Sequence, residues 1–218
     1  MEYVKICGLK KPEEIVLCAR NGANAVGFIY NVPESPRNLK KSKLINILNH
    51  IPSKILTVIV FKPLNVSHIE KVMQDIKADY YQIHINLEFE ELDKLSIEKK
   101  KKIIFAIKLN QYNRDLMINR IKKFSNNFFA FLIDNSEGHG KEIDFNLTNE
   151  FLKKTKEARL ILAGGIGCEN IKDVITKLNP FGIDASSSLE SEKGVKDLEK
   201  VEKFLKLVKK LRQKDCEM

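Results

Sequence analysis

Eight short runs rich in β-branched and aromatic residues recur from one end of the chain to the other, separated by amphipathic stretches. No other feature constrains the fold as much. The runs are Tyr3 to Ile6, Ala25 to Tyr30, Ile55 to Val60, Tyr80 to His84, Lys102 to Ile107, Phe129 to Asp134, Arg159 to Ala163 and Gly182 to Ala185. Between and after them lie helical patterns: Pro12 to Asn21, Lys41 to Asn49, Val66 to Ile76, Leu87 to Leu95, Gln111 to Lys123, Phe145 to Thr155, Cys168 to Lys177 and Asp197 to Leu211. The first shows the logic of the rest. Pro12 suits a first helical position, Glu13 and Glu14 favour the positive end of the helix dipole, and Gly22 supplies the stop. Strands alternating with helices imply a parallel sheet. Eight units at about 27 residues each fit a lean barrel, so the expectation is one (β/α)8 TIM barrel, a single domain over residues 1–218. A doubly wound open sheet is the alternative, but no G-x-G-x-x-G follows the first strand.

Composition narrows the function classes. The four cysteines, Cys7, Cys18, Cys168 and Cys216, are scattered without a C-x-x-C pair, and the four histidines are equally dispersed. Neither a disulfide framework nor zinc-type spacing is present, so no metal or other cofactor is expected. No apolar stretch approaches the roughly 20 residues that span a bilayer, and Met1-Glu2-Tyr3-Val4-Lys5 does not resemble a signal peptide. A cytoplasmic protein is expected, with no membrane partner. The net charge of +9 sits largely in lysine runs such as Lys99-Lys100-Lys101-Lys102, without the aromatic interleaving of an RNA-binding module. It reads as solvated helix faces or as a field drawing in an anionic substrate, not as a nucleic-acid site.

Chemistry gathers at the C-terminal ends of the strands, which in a parallel barrel share one mouth. Cys7 follows the first strand and Asp134 ends the sixth. A potential base and a potential acid at one pocket, without a metal, suggest an isomerase. After the seventh strand come Gly164 and Gly165, and after the eighth Ser186, Ser187 and Ser188. Adjacent glycines let a backbone turn and expose its N–H groups, and loops seven and eight form the recurrent phosphate site of this fold. The loop after the sixth strand carries Gly140 and Lys141, able to close over a bound anion.

These motifs, in order, resemble the phosphoribosylanthranilate isomerase family of tryptophan biosynthesis. The matching runs are Lys5-Ile6-Cys7-Gly8, Gly22-Ala23-Asn24-Ala25-Val26-Gly27-Phe28, Ser35-Pro36-Arg37 and Gln82-Ile83-His84. They continue with Leu132-Ile133-Asp134, Gly138-His139-Gly140-Lys141, Ala163-Gly164-Gly165-Ile166 and Asp184-Ala185-Ser186-Ser187. The resemblance implies an Amadori rearrangement of an aminated sugar phosphate, with Asp134 as general acid and Cys7 as general base. It implies substrate contacts from Arg37, His84 and Asp184, and phosphate contacts from Gly140, Lys141, Gly164, Gly165, Ser186 and Ser187. Asp134 then needs burial or a neighbouring carboxylate such as Asp184 to hold a proton, and Cys7 needs local positive potential, for which Lys5 two residues earlier is placed. The chain departs from the family at Ile85 and Ser188, where Gly is usual, and at Phe145, where Trp is usual. The related isomerase of histidine biosynthesis usually carries Asp where this chain has Cys7. A barrel that binds sugar phosphate without turnover, or a basic nucleic-acid binder, completes the alternatives. A monomer or homodimer acting on a small-molecule substrate is expected.

Overall fold

The computed structural model describes residues 1–84, 89–134 and 143–215. Each of the eight apolar runs forms a strand: β1 (Tyr3–Cys7), β2 (Ala25–Tyr30), β3 (Leu56–Phe61), β4 (Tyr80–His84), β5 (Ile103–Ile107), β6 (Ala130–Asp134), β7 (Leu160–Ala163) and β8 (Gly182–Ala185). All pair in parallel with their sequence neighbours. Pairing of β1 with β8 closes the sheet into a barrel, with Lys5 opposite Asp184. The helices on the outside are α1 (Pro12–Arg20), α2 (Lys41–Leu48), α3 (Val66–Asp75), α4 (Ile97–Lys100), α5 (Arg114–Phe124), α6 (Phe145–Lys154), α7 (Ile171–Asp173) and α8 (Leu198–Asp215).

Period-two alternation sorts each strand between two cores. Outward residues such as Val4, Ile6, Phe28, Phe61, Ile83 and Phe131 pack under the helices in one continuous apolar layer. Each side chain buried there contributes on the order of 1.5–3 kcal/mol. Inward residues, among them Tyr3, Cys7, Val58, Ile104, Leu132 and Ile161, fill the barrel. An aromatic plug closes its N-terminal end: Tyr3 stacks on Phe181 at 6.1 Å and Tyr80 on Phe129 at 3.9 Å, with the Arg159 guanidinium 5.4 Å from the Phe129 ring. Gly182 is required there, since a Cβ would lie 2.7 Å from the Cβ of Tyr3 and 2.8 Å from its carbonyl oxygen. With that end filled, access falls to the C-terminal mouth.

Two of the expected helices differ. Cys168 to Lys177 is a three-residue α-turn followed by a π-turn, Val174–Leu178. The side chain of Asn170 accepts from Gly167 N–H and donates to the Gly165 carbonyl, which holds 165–170 as a turn and delays the helix. The β-branched run Val174-Ile175-Thr176 then resists regular α geometry. Of the expected Leu87 to Leu95 helix, residues 87 and 88 lie outside the described residues. The remainder is a 3-10 segment, Phe89–Lys94, ahead of α4, whose Ser96 caps it by accepting from Lys99 N–H. Two pieces had no sequence counterpart: a two-residue strand, Asn38–Leu39, beside β2, and an antiparallel hairpin, Glu190–Glu192 with Val195–Lys196, after β8.

Candidate active site

At the middle of the barrel, bulky apolar residues give way to a charged layer. Lys5, at 0 % exposure, reaches across from β1 and donates to Asp184 Oδ2 at 2.6 Å and to Gln82 Oε1 at 2.9 Å. Gln82 Nε2 in turn meets His84 Nε2 at 3.0 Å, one inward step closer to the mouth. Register carries the same layer round through Ala163 to Asp134, since Asp184 lies opposite Ala163 and Ala163 opposite Asp134. Asp134 is the last residue of β6 and half-buried. Asp134 and Asp184 therefore share a face two strands apart.

Cys7 closes β1 in the same mouth and is 5 % exposed. Opposite it in β2, Gly27 leaves the space that two side chains occupy: a Cβ there would lie 2.9 Å from Cys7 Sγ and 2.8 Å from Lys5 Cε. Gly8, at φ +80°, turns the backbone away, and a Cβ on it would meet Arg37 Cδ at 2.5 Å, so the Arg37 stem lies directly over the turn after Cys7. Arg37 makes a bidentate pair with Glu190, Nε to Oε1 at 2.6 Å and Nη2 to Oε2 at 2.7 Å. Lys196 donates to the same Glu190 Oε1 at 2.7 Å and to the Ser186 carbonyl at 3.1 Å, and Gly194 N–H donates to Oε2 at 2.9 Å. Arg37 is thus a fixed cation, but two of its donors are already committed.

In the loop after β7, Gly164 and Gly165 both adopt positive φ, +88° and +67°, so consecutive peptides turn their N–H groups to one side. Among the described residues, the N–H groups of Gly165, Ile166 and Ser187 have no partner within the protein. The Ser186 hydroxyl donates to the Cys7 carbonyl at 3.1 Å, which leaves its role to the backbone. Ser188 Oγ donates to the Ile166 carbonyl and ties loop eight to loop seven. Gly140, Lys141 and Ile85 lie outside the described residues.

Burial dominates the electrostatics. It pushes the Cys7 thiol up, against the pull of Lys5 and Lys196, with Asp184 adding to the rise. It also raises the Asp184 carboxyl, opposed by Lys5 and reinforced by Asp134. Burial works to lower the Lys5 ammonium, yet Asp184 and Cys7 outweigh it and hold Lys5 above its ordinary value. The His84 ring is lowered to about 4, first by burial and then by Lys5, Lys62 and Lys108, against Asp134. Sequence reasoning did not single out Gln82, Glu190 or Lys196. Gln82 was findable two residues before His84 on the same strand face. Glu190 and Lys196 meet only through the hairpin.

A model of the N-(5′-phosphoribosyl)anthranilate (PRA) isomerase family matches residues 4–207. The chain belongs to this family. The isomerase is 33% identical over 214 residues to N-(5′-phosphoribosyl)anthranilate isomerase of Sulfurihydrogenibium sp., covering 94% of this chain and 98% of that one. Among solved structures, it is similar to monomers derived from the dimeric phosphoribosylanthranilate isomerase of Thermotoga maritima, with TM-score 0.81 and 25% identity, covering 96% of this chain and 100% of that one. It is also similar to a phosphoribosylanthranilate isomerase in complex with reduced 1-(o-carboxyphenylamino)-1-deoxyribulose 5-phosphate, with TM-score 0.79 and 27% identity, covering 96% of this chain and 100% of that one. Among the described residues, no helix of the isomerase is long and apolar enough to cross a membrane.

His84 should make the stability of the isomerase sensitive to acid. Its folded-state pKa lies below the ordinary 6.5, at about 4. Between those values the unfolded chain binds a proton that the folded chain refuses, so stability falls as pH drops through that window. Urea titrations across it should show this slope, and His84→Gln should flatten it. An unchanged slope in the variant would rule out His84 as its source.

Proposed function

We propose that this protein catalyses the Amadori rearrangement of N-(5-phosphoribosyl)anthranilate to 1-(2-carboxyphenylamino)-1-deoxyribulose 5-phosphate in tryptophan biosynthesis. The observation that carries the reading is the convergence of Cys7 and Asp134 on one barrel mouth beside two phosphate-type loops. Asp134 acts as general acid. It protonates the ring oxygen, the bond from that oxygen to the anomeric carbon breaks, and nitrogen supplies the electrons to form an iminium ion. Cys7 acts as general base. As thiolate it removes the proton from the adjacent sugar carbon, the electrons of that C–H bond neutralise the iminium, and the resulting enolamine tautomerises to the ketone.

The surrounding groups have roles that follow from charge. The anthranilate carboxylate meets the remaining donors of Arg37, a planar cation whose aim Glu190 sets. Phosphate is received by the N–H groups of Gly164, Gly165, Ser186 and Ser187, and the family resemblance assigns further phosphate contacts to Gly140 and Lys141, which lie outside the described residues. His84, neutral at pH 7, and Asp184 line the sugar. The test is single-turnover decay of anthranilate-type fluorescence with freshly generated substrate. Decay well above the spontaneous rate is the expected result. Decay at the spontaneous rate would sink the assignment in favour of a barrel that binds sugar phosphate without turnover.

A further inference from the structure

A lysine ammonium at 0 % exposure inside a barrel is costly unless it has a task, and the contacts of Lys5 point to one. An ammonium has three N–H donors. Asp184 Oδ2 takes one at 2.6 Å and Gln82 Oε1 a second at 2.9 Å. The head group is thereby clamped from β8 and β4 at once. The ammonium also borders the space above Gly27, where a Cβ would lie 3.1 Å from Lys5 Nζ and 2.9 Å from Cys7 Sγ. The β1 alternation puts Lys5 and Cys7 on one face, and the absence of a side chain at position 27 lets them converge.

We infer that Lys5 is a positioning residue for the base: held by Asp184 and Gln82, its ammonium sets a fixed positive charge against the Cys7 sulfur and stabilises the thiolate that abstracts the proton. This deepens the reading of Cys7 as base and rests on it. The charged and titratable groups facing the thiol are Lys5 and Tyr3 from its own strand, Asp184 from β8, Lys196 from the hairpin and Arg37 from the loop after β2. Burial favours the neutral thiol, Asp184 opposes the thiolate, and Lys5 outranks Lys196 among the cations that support it. Lys196 and Arg37 are in addition largely consumed by Glu190. Lys5 divides its charge between Asp184 and the sulfur, and Gln82, being neutral, holds the ammonium without cancelling it.

The test is the ultraviolet titration of the Cys7 thiolate, taken as the difference between each protein and its Cys7→Ser counterpart, beside the pH profile of kcat/KM. Lys5→Met keeps the length of the stem and removes the charge. It should move the thiol titration and the rising limb of the profile upward by about one pH unit or more, the usual size of a lost close charge. Activity should then recover towards the wild-type plateau at high pH. A residue that only supports the fold would lower activity at every pH alike. Because Lys5→Met strands the Asp184 carboxylate, Lys5→Met with Asp184→Asn is measured in parallel and compared with Asp184→Asn alone, and an upward shift is again expected. Titrations unmoved in whichever of these variants folds would overturn the inference. If instead Cys7→Ser kept full turnover, the base assignment itself would fall, and that outcome is separable because the thiol titration would still respond to Lys5.

Discussion

Cys7→Ser and Asp134→Asn should each reduce kcat by about 10²- to 10⁴-fold, the usual worth of a positioned acid or base. Both substitutions are close to isosteric, so the barrel should remain folded by circular dichroism. Serine keeps a polar group in the space above Gly27, but its hydroxyl ionises far above the working pH and cannot serve as a base. Asparagine keeps the shape of Asp134 and removes the proton that the proposed mechanism uses to open the ring. Substrate affinity should change little, because the proposed phosphate and carboxylate contacts lie elsewhere, so the loss should fall on kcat and not on KM. The double variant should lose less than the product of the two single losses, since acid and base serve one reaction path. A folded Asp134→Asn with wild-type turnover would transfer the acid role to another group, for which Asp184 is the neighbour of choice.

The second large effect is on stability. Glu190→Gln should destabilise the protein by about 3–5 kcal/mol at neutral pH, because it strands the buried cations Arg37 and Lys196 around a neutral amide. Against a typical total of about 5–15 kcal/mol, that is a severe loss. The Glu190 carboxyl is lowered from the ordinary 4.5 to about 2, as the hydrogen bonds from Arg37, Lys196 and Gly194 outweigh the cost of burial. A carboxylate depressed in the folded state contributes its stability in full above the unfolded value of 4.5, and that contribution disappears as pH falls towards 2. The difference between wild type and Glu190→Gln should therefore shrink in acid. Combining Glu190→Gln with Lys196→Met should recover part of the loss by removing one stranded charge. Urea unfolding at neutral and acid pH checks both statements. A Glu190→Gln protein within about 1 kcal/mol of wild type would mean that the triad is solvated and stabilises little.

The same triad explains why part of the site was not legible in the sequence. Glu190 and Arg37 are far apart along the chain, and nothing in the local pattern around either points to the other. Their meeting depends on a short polar hairpin after β8, turned at Gly194 with φ +85°. Arg37 was readable as a cation near the mouth, but not as one already paired. Ser186 was readable as a loop hydroxyl, but not as a donor to the Cys7 carbonyl. The helix expected from Cys168 failed for a different, local reason: the Asn170 side chain bonds to Gly167 and Gly165 in the turn after β7, which helical periodicity does not register.

What the sequence determined by itself was the barrel and the ends of its strands. Apolar runs at regular spacing leave little choice of layer architecture, and period-two alternation already puts Lys5 with Cys7, and Gln82 with His84, on one face of their strands, which the closed sheet then turns inward. Tertiary structure alone decided which of those inward groups touch and in what state of charge. Closure of β1 against β8 brings Lys5 to Asp184, and Gly27 makes room for Lys5 beside Cys7. Burial then shifts their protonation against the pull of their partners. These are properties of distance and dielectric between residues up to 179 positions apart, and a linear pattern carries neither.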